Sequence, residues 1–127
     1  MTAANETLVR DFCAAFARRD VDELLGFFTD DAIYHNMPMR PVQGKAAIRG
    51  VLDMFLKPAQ AVDFAVLRIA AAGDTVLTER LDTFDMGARR VELPIAGIFD
   101  LRDGKIAAWR DYFDLATWTK QANPPAG

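Results

Sequence analysis

Arg80, Asp82 and Asp111 are the residues of this chain whose types and spacing can do chemistry. Arg80 and Asp82 stand in Thr78-Glu79-Arg80-Leu81-Asp82-Thr83-Phe84, and Asp111 in Ile106-Ala107-Ala108-Trp109-Arg110-Asp111-Tyr112-Phe113. Both stretches read as strands with one face turned to a core. Side chains alternate along a strand, so Arg80 and Asp82 share a face with Val76 and Phe84, and Asp111 shares one with Ala107, Trp109 and Phe113. Charges among Val, Phe and Trp are costly unless they are paired and hydrogen-bonded. The trio is therefore either a buried ionic network that ties a sheet together or a site where two carboxylates of different protonation state serve as acid and base. Residue types alone weigh evenly between the two.

The elements that must position these side chains can be read from periodicity. Leu8, Phe12, Ala15 and Phe16 form an apolar stripe at helical spacing, bordered by Cys13. Asp20 and Glu23 have capping-box spacing and open a short second helix through Leu24, Leu25, Phe27 and Phe28. Asp30-Asp31 ends it and leads into a short strand, residues 32–36. Pro38 and Pro41 keep the next piece extended or looped. Gly44 opens a third helix, residues 45 to about 56, which Pro58 stops. The period then changes to two. Four long strands are expected, at about 61–71, 75–85, 89–101 and 105–115, with turns at Gly73-Asp74, Gly87 and Asp103-Gly104. Helices first and an antiparallel meander afterwards make an α+β fold: a curved, mostly antiparallel sheet with helices packed on its concave face. The 127 residues suit one domain, with residues 123–127 as a loose tail.

Composition narrows the partners. The net charge of −3 and the lack of a basic patch argue against nucleic acid. Apolar residues make up 51%, enough for a sizeable core without staples. One cysteine leaves no intramolecular disulfide, and one histidine beside it makes a zinc site unexpected. No apolar run suits a membrane span, and Glu6, Arg10 and Asp11 interrupt any signal-peptide core. A cytoplasmic protein is the expectation.

Three further segments sharpen the picture: Tyr34-His35-Asn36-Met37-Pro38, Glu79-Arg80-Leu81-Asp82, and Gly97 to Ile106 running on into Trp109-Arg110-Asp111-Tyr112-Phe113-Asp114. On these motifs the chain resembles the limonene-1,2-epoxide hydrolase family, within the broad group of folds like nuclear transport factor 2 and the SnoaL polyketide cyclases. The resemblance covers nearly the whole chain, and it implies a catalytic set of Tyr34, Asn36, Arg80, Asp82 and Asp111. It further implies that Asp111 takes a proton from a water held by Tyr34 and Asn36. Asp82 would give a proton to the epoxide oxygen, and Arg80 would bridge the two carboxylates. A nearby cation lowers a carboxyl pKa while burial raises it, so the sequence leaves the protonation of Asp82 open. The implied reaction is one-step hydrolysis without a covalent intermediate, a metal or an organic cofactor. Consistent with this, the only histidine is His35 and the βαβ alternation of the α/β-hydrolase fold is missing. Phe16, Met37, Met54, Phe84, Trp109 and Phe113 are expected to line an apolar pocket for a cyclic or terpene-like epoxide. A homodimer through the sheet face is expected by resemblance. Two other functions compete: a ketosteroid-isomerase-like or cyclase-like enzyme that moves a proton beside a carbonyl, and a non-catalytic binding or dimerisation module.

Overall fold

A computed structural model describes residues 2–123. Helix α1, Thr2–Ala15, runs into a 3-10 turn at Phe16–Arg18. Its buried side chains include Val9, Phe12 and Cys13, which continue to Phe16 at a 3, 1, 3 spacing that keeps them on one face. Phe12 is the hub of the core. Its ring meets Phe16, Phe28 and Trp109 edge-on at 5.1, 5.4 and 5.0 Å.

Helix α2, Val21–Leu25, is capped by Asp20, whose carboxylate accepts from the Glu23 N–H. The Glu23 side chain does not complete the box; it pairs with Arg18 at 2.8 Å. The helix ends three residues earlier than its apolar pattern suggests, because Phe28 enters the core from strand β1, Phe28–Asn36. Asp30 and Asp31 therefore lie within that strand, exposed, where Asp31 accepts from Arg102 at 2.6 Å. Strand β2, Val42–Gln43, and helix α3, Lys45–Leu56, follow, with Gly44 at the helix N-cap at φ +90°. The meander then forms as expected: β3 (Ala61–Ala72), β4 (Thr75–Asp85), β5 (Arg90–Arg102) and β6 (Lys105–Tyr112). Asp103 and Gly104 take φ +52° and +74° at the β5–β6 hairpin, the left-handed pair that a two-residue turn needs.

The chain departs from the sequence reading after Tyr112. The fourth long strand stops there, and Leu115–Ala122 is a helix, α4, with Asp114 at its N-cap accepting from the Thr117 hydroxyl. Of the tail expected at residues 123–127, only Asn123 falls within the described residues.

The six strands form one curled sheet, ordered β2-β1-β6-β5-β4-β3, with helices packed on its concave face. All neighbours are antiparallel except β1 and β6, which are parallel. That pairing sets Tyr34 beside Trp109 and Asn36 beside Asp111. One expectation of facing fails at a bulge. Asp100 pairs with Ala108 but Leu101 pairs with Ile106, so Ala107 is the extra residue. Ile106, not Ala107, joins Trp109 and Asp111 on the buried face.

Candidate active site

β4 carries Thr78, Arg80 and Asp82 on its inward face, with Arg80 and Asp82 each 1% exposed. β6 carries Asp111, 2% exposed, two strands away. What lets them meet is β5. Gly97 stands between Thr78 and Asp111 in register and has no side chain to fill the gap. A Cβ there would collide with the Arg80 guanidinium, and would stand 2.7 Å from Asp111 Oδ1 and 2.9 Å from Thr78 Oγ1. The guanidinium crosses over Gly97 to reach Asp111.

Every N–H of that guanidinium is used. Nε and Nη2 donate to the two oxygens of Asp82 at 3.1 and 2.9 Å. Nη1 and Nη2 donate to the two oxygens of Asp111 at 3.1 and 2.8 Å. Nη1 also donates to Thr78 Oγ1 at 3.2 Å, and that hydroxyl donates to the Gly97 carbonyl. Asp111 Oδ1 accepts a further bond, 2.7 Å from Trp109 Nε1. Trp109 in turn stacks on the Tyr34 ring, centroids 4.1 Å apart and planes 7° from parallel. One cation faces two buried carboxylates, so a negative charge is left over unless one of them holds a proton.

The electrostatics raise the proton affinity of Asp82. Burial pushes the Asp82 carboxyl up to about 6 against the pull of Arg80, so burial wins the contest that the sequence left open. Burial works against the Arg80 charge, but Asp111 and Asp82 outweigh it and hold Arg80 well above the ordinary range. Burial, with Asp111 next, keeps the Tyr34 phenol well above its usual value, so it stays a neutral donor. Cys13 is a core residue, and burial pushes its thiol up to about 12, which makes it a poor nucleophile.

Above the carboxylates lies a cavity of about 270 Å³. Tyr34, Asn36, Asp82 and Asp111 form its polar floor, and Phe16, Met54, Phe84 and Phe113 are in its walls, as expected. Arg80 lies behind the floor and does not face the cavity. Two expected lining residues lie elsewhere. Trp109 is sealed beneath Tyr34, where its ring supports the floor instead of the wall. Met37 follows the last residue of β1, where the chain turns and the alternation ends; its N–H donates to the Asp111 carbonyl, and Met39 takes the place at the cavity.

Other wall residues escaped the sequence reading. Leu93 and Ile95 alternate with Gly97 on the inward face of β5, a period-two signal visible in the sequence. Phe55 comes from α3, and Leu115 and Trp118 from the unexpected α4. Arg40 and Met39 come from the turn after β1, which has no periodicity to read. Among the described residues, no group of three His, Cys, Asp or Glu side chains gathers to hold a metal, and no helix is long and apolar enough to cross a membrane.

This arrangement coincides with a family defined by sequence. Residues 3–123 match the model of the limonene-1,2-epoxide hydrolase catalytic domain. The chain belongs to the limonene-1,2-epoxide hydrolase family. It is 33% identical over 107 residues to the epoxide hydrolase EphG of Mycobacterium tuberculosis, covering 84% of this chain and 71% of the relative. A solved limonene-epoxide-hydrolase-like epoxide hydrolase from M. tuberculosis superposes with a TM-score of 0.82 at 31% identity, over 94% of this chain and 89% of the other. A structure described as a putative polyketide cyclase from Xanthomonas campestris superposes with a TM-score of 0.85 at 23% identity, over 96% and 98% of the chains. That likeness reports the shared fold alone. At the family level the protein is an epoxide hydrolase-like enzyme whose family reaction joins an epoxide and water.

Proposed function

We propose that this protein adds water to a hydrophobic epoxide in one step, giving a vicinal diol, with Asp111 as base and Asp82 as acid. The observation that carries this reading is the shared guanidinium. Arg80 holds both carboxylates against one apolar cavity, and Tyr34 and Asn36 lie beside Asp111. A purely structural network has no need to present both carboxylates to a cavity.

In this mechanism Asp111 accepts a proton from water while the water oxygen bonds to one epoxide carbon. The carbon–oxygen bond on the far side of that carbon breaks, and Asp82 gives its proton to the leaving oxygen. The substrate gains one water in total. Asp111 finishes protonated and Asp82 ionised, so one proton must return to Asp82 before the next turnover. Tyr34 and Asn36 orient the water. Trp109 and Arg80 together hold the Asp111 carboxylate in one orientation. The apolar walls suit a cyclic or terpene-like ring and strengthen the acid and base by excluding water.

A panel of cyclic epoxides in heavy-oxygen water under single-turnover conditions tests the reading. Label in the diol at the first turnover is expected. Unlabelled diol means that an enzyme carboxylate attacks first and rules out the one-step mechanism. Asp82→Asn and Asp111→Asn should each lower turnover by roughly a hundredfold to ten-thousandfold. Enone isomerisation without diol would favour the isomerase-like alternative instead. Ligand binding unaffected by either change, with no turnover of any compound, would favour a binding module.

The convex face supports assembly as a homodimer. It sets Leu77 beside Ile98, Leu81 beside Pro94 and Ala96 beside Tyr112. Leu77 and Tyr112 are nearly half exposed, on a face where a lone subunit would leave them in water.

A further inference from the structure

The cavity is polar at the floor and apolar in the walls, but its mouth carries a cation. Arg40 lines the cavity opening and makes no hydrogen bond or ion pair with any described residue. Most other Lys and Arg side chains are held: Arg18 by Glu23, Arg49 by Asp22, Arg102 by Asp31 and Arg110 by Asp100, with Arg19 and Arg89 on backbone carbonyls. Arg10 and Lys120 are also without such partners, but neither lines the cavity. Around Arg40 the rim is apolar, made by Met39, Met54 and Leu115, all substantially exposed.

The loop that carries Arg40 is pinned. Met37 N–H donates to the Asp111 carbonyl at 2.9 Å, Met39 N–H to the Asn36 carbonyl at 2.8 Å, and the His35 ring bonds the Met39 carbonyl at 2.9 Å. Pro41 restricts the Arg40 backbone to extended conformations. The Arg40 backbone is thus fixed relative to the Asp111 strand, while its guanidinium stays free.

We infer that the substrate of this site carries a carboxylate remote from its epoxide ring, and that Arg40 binds that carboxylate at the cavity mouth. The inference rests on the epoxide-hydrolase reading above and adds its substrate class: an apolar epoxide with an anionic end. Two features argue together. Asp82 and Asp111 act on the epoxide at the floor, so a carboxylate remote from that ring is left at the mouth. There it meets a planar guanidinium with every donor unspent, the geometry that matches a carboxylate bidentately. Arg40 thereby also selects which end of the ligand reaches Asp82 and Asp111.

The test compares a terminal epoxide of undecanoic acid with its methyl ester, which differ only in charge at the far end. In wild-type enzyme, kcat/KM for the acid should exceed that for the ester by about fivefold, the upper range for an exposed ion pair. The difference should sit in KM and shrink with added salt. The ratio should fall to near one in Arg40→Gln and invert in Arg40→Glu. Equal kcat/KM for acid and ester in wild type, or a preference that survives in Arg40→Gln, overturns the inference. If neither compound gives diol, the hydrolase reading is left to the cyclic-epoxide panel and the anion site is judged by binding. Calorimetric titration with undecanoate then decides the anion site. Tighter binding to wild type than to Arg40→Gln upholds it, and equal or undetectable binding overturns it.

Discussion

At the scale of single residues, the site is governed by how many donors one guanidinium has. Arg80 spends all of them on Asp82, Asp111 and Thr78, and so fixes the orientation of both carboxylates at once. Two predictions belong here. Trp109→Phe keeps the stack on Tyr34 but deletes the bond to Asp111 Oδ1. It should cost about 1 kcal/mol of stability. It should also lower kcat by about tenfold, through loss of carboxylate orientation, with KM little changed. Steady-state kinetics and urea unfolding of the same preparation check both numbers.

The second prediction concerns pH. Burial raises the Asp82 carboxyl from 3.8 to about 6, so the folded protein keeps a proton that the unfolded chain has already released. The contribution of Asp82 to stability is therefore full below 3.8 and is lost as pH rises through about 6. Denaturant midpoints of wild type measured against Asp82→Asn across that window should show wild type losing ground as pH rises. In the proposed mechanism Asp82 must hold its proton, so kcat/KM should decline above pH of about 6.

At the scale of elements, three strands do separate jobs. β4 supplies the bridging Arg80 and Asp82, β6 supplies Asp111, and β5 supplies the gap between them. The gap explains Gly97, which sits in an ordinary strand with no positive φ. Its hydrogen is required by the guanidinium that passes over it, not by its own backbone. Gly97→Ala should force Arg80 off Asp111 and destabilise the protein by about 2 kcal/mol or more. Thermal unfolding should register the loss, and diol formation should fall with it. The chemistry was more legible in the sequence than this gap. Asp82, Asp111 and Arg80 announce themselves as charges on apolar faces, whereas a glycine in a strand carries no side chain to read. Trp118 and Leu115 were missed for another reason. Their Asp114 cap and their apolar spacing are short signals that follow directly on a strong strand pattern, and the strand period was carried too far.

At the scale of the whole molecule, the acidic chain confines its unpaired functional cation to the cavity mouth and leaves an apolar convex face on the sheet. If that face joins two copies, light scattering should give twice the chain mass, and Leu77→Lys should reduce it to one. Diol formation by the dissociated variant would then tell whether the site needs its partner.

The sequence by itself determined the helices-then-meander plan, the inward face of β4 and the presence of Arg80, Asp82 and Asp111 as charges on apolar strand faces. Those properties follow from local alternation and from the cost of burying charge, both written into neighbouring residues. Only the tertiary structure decided that β1 runs parallel to β6, that Gly97 opens the path for Arg80, that Met39 and Arg40 replace Met37 at the cavity, and that burial raises the Asp82 carboxyl against the pull of Arg80. Each of these depends on which distant segments meet and how much water they exclude. Local periodicity holds no information about either.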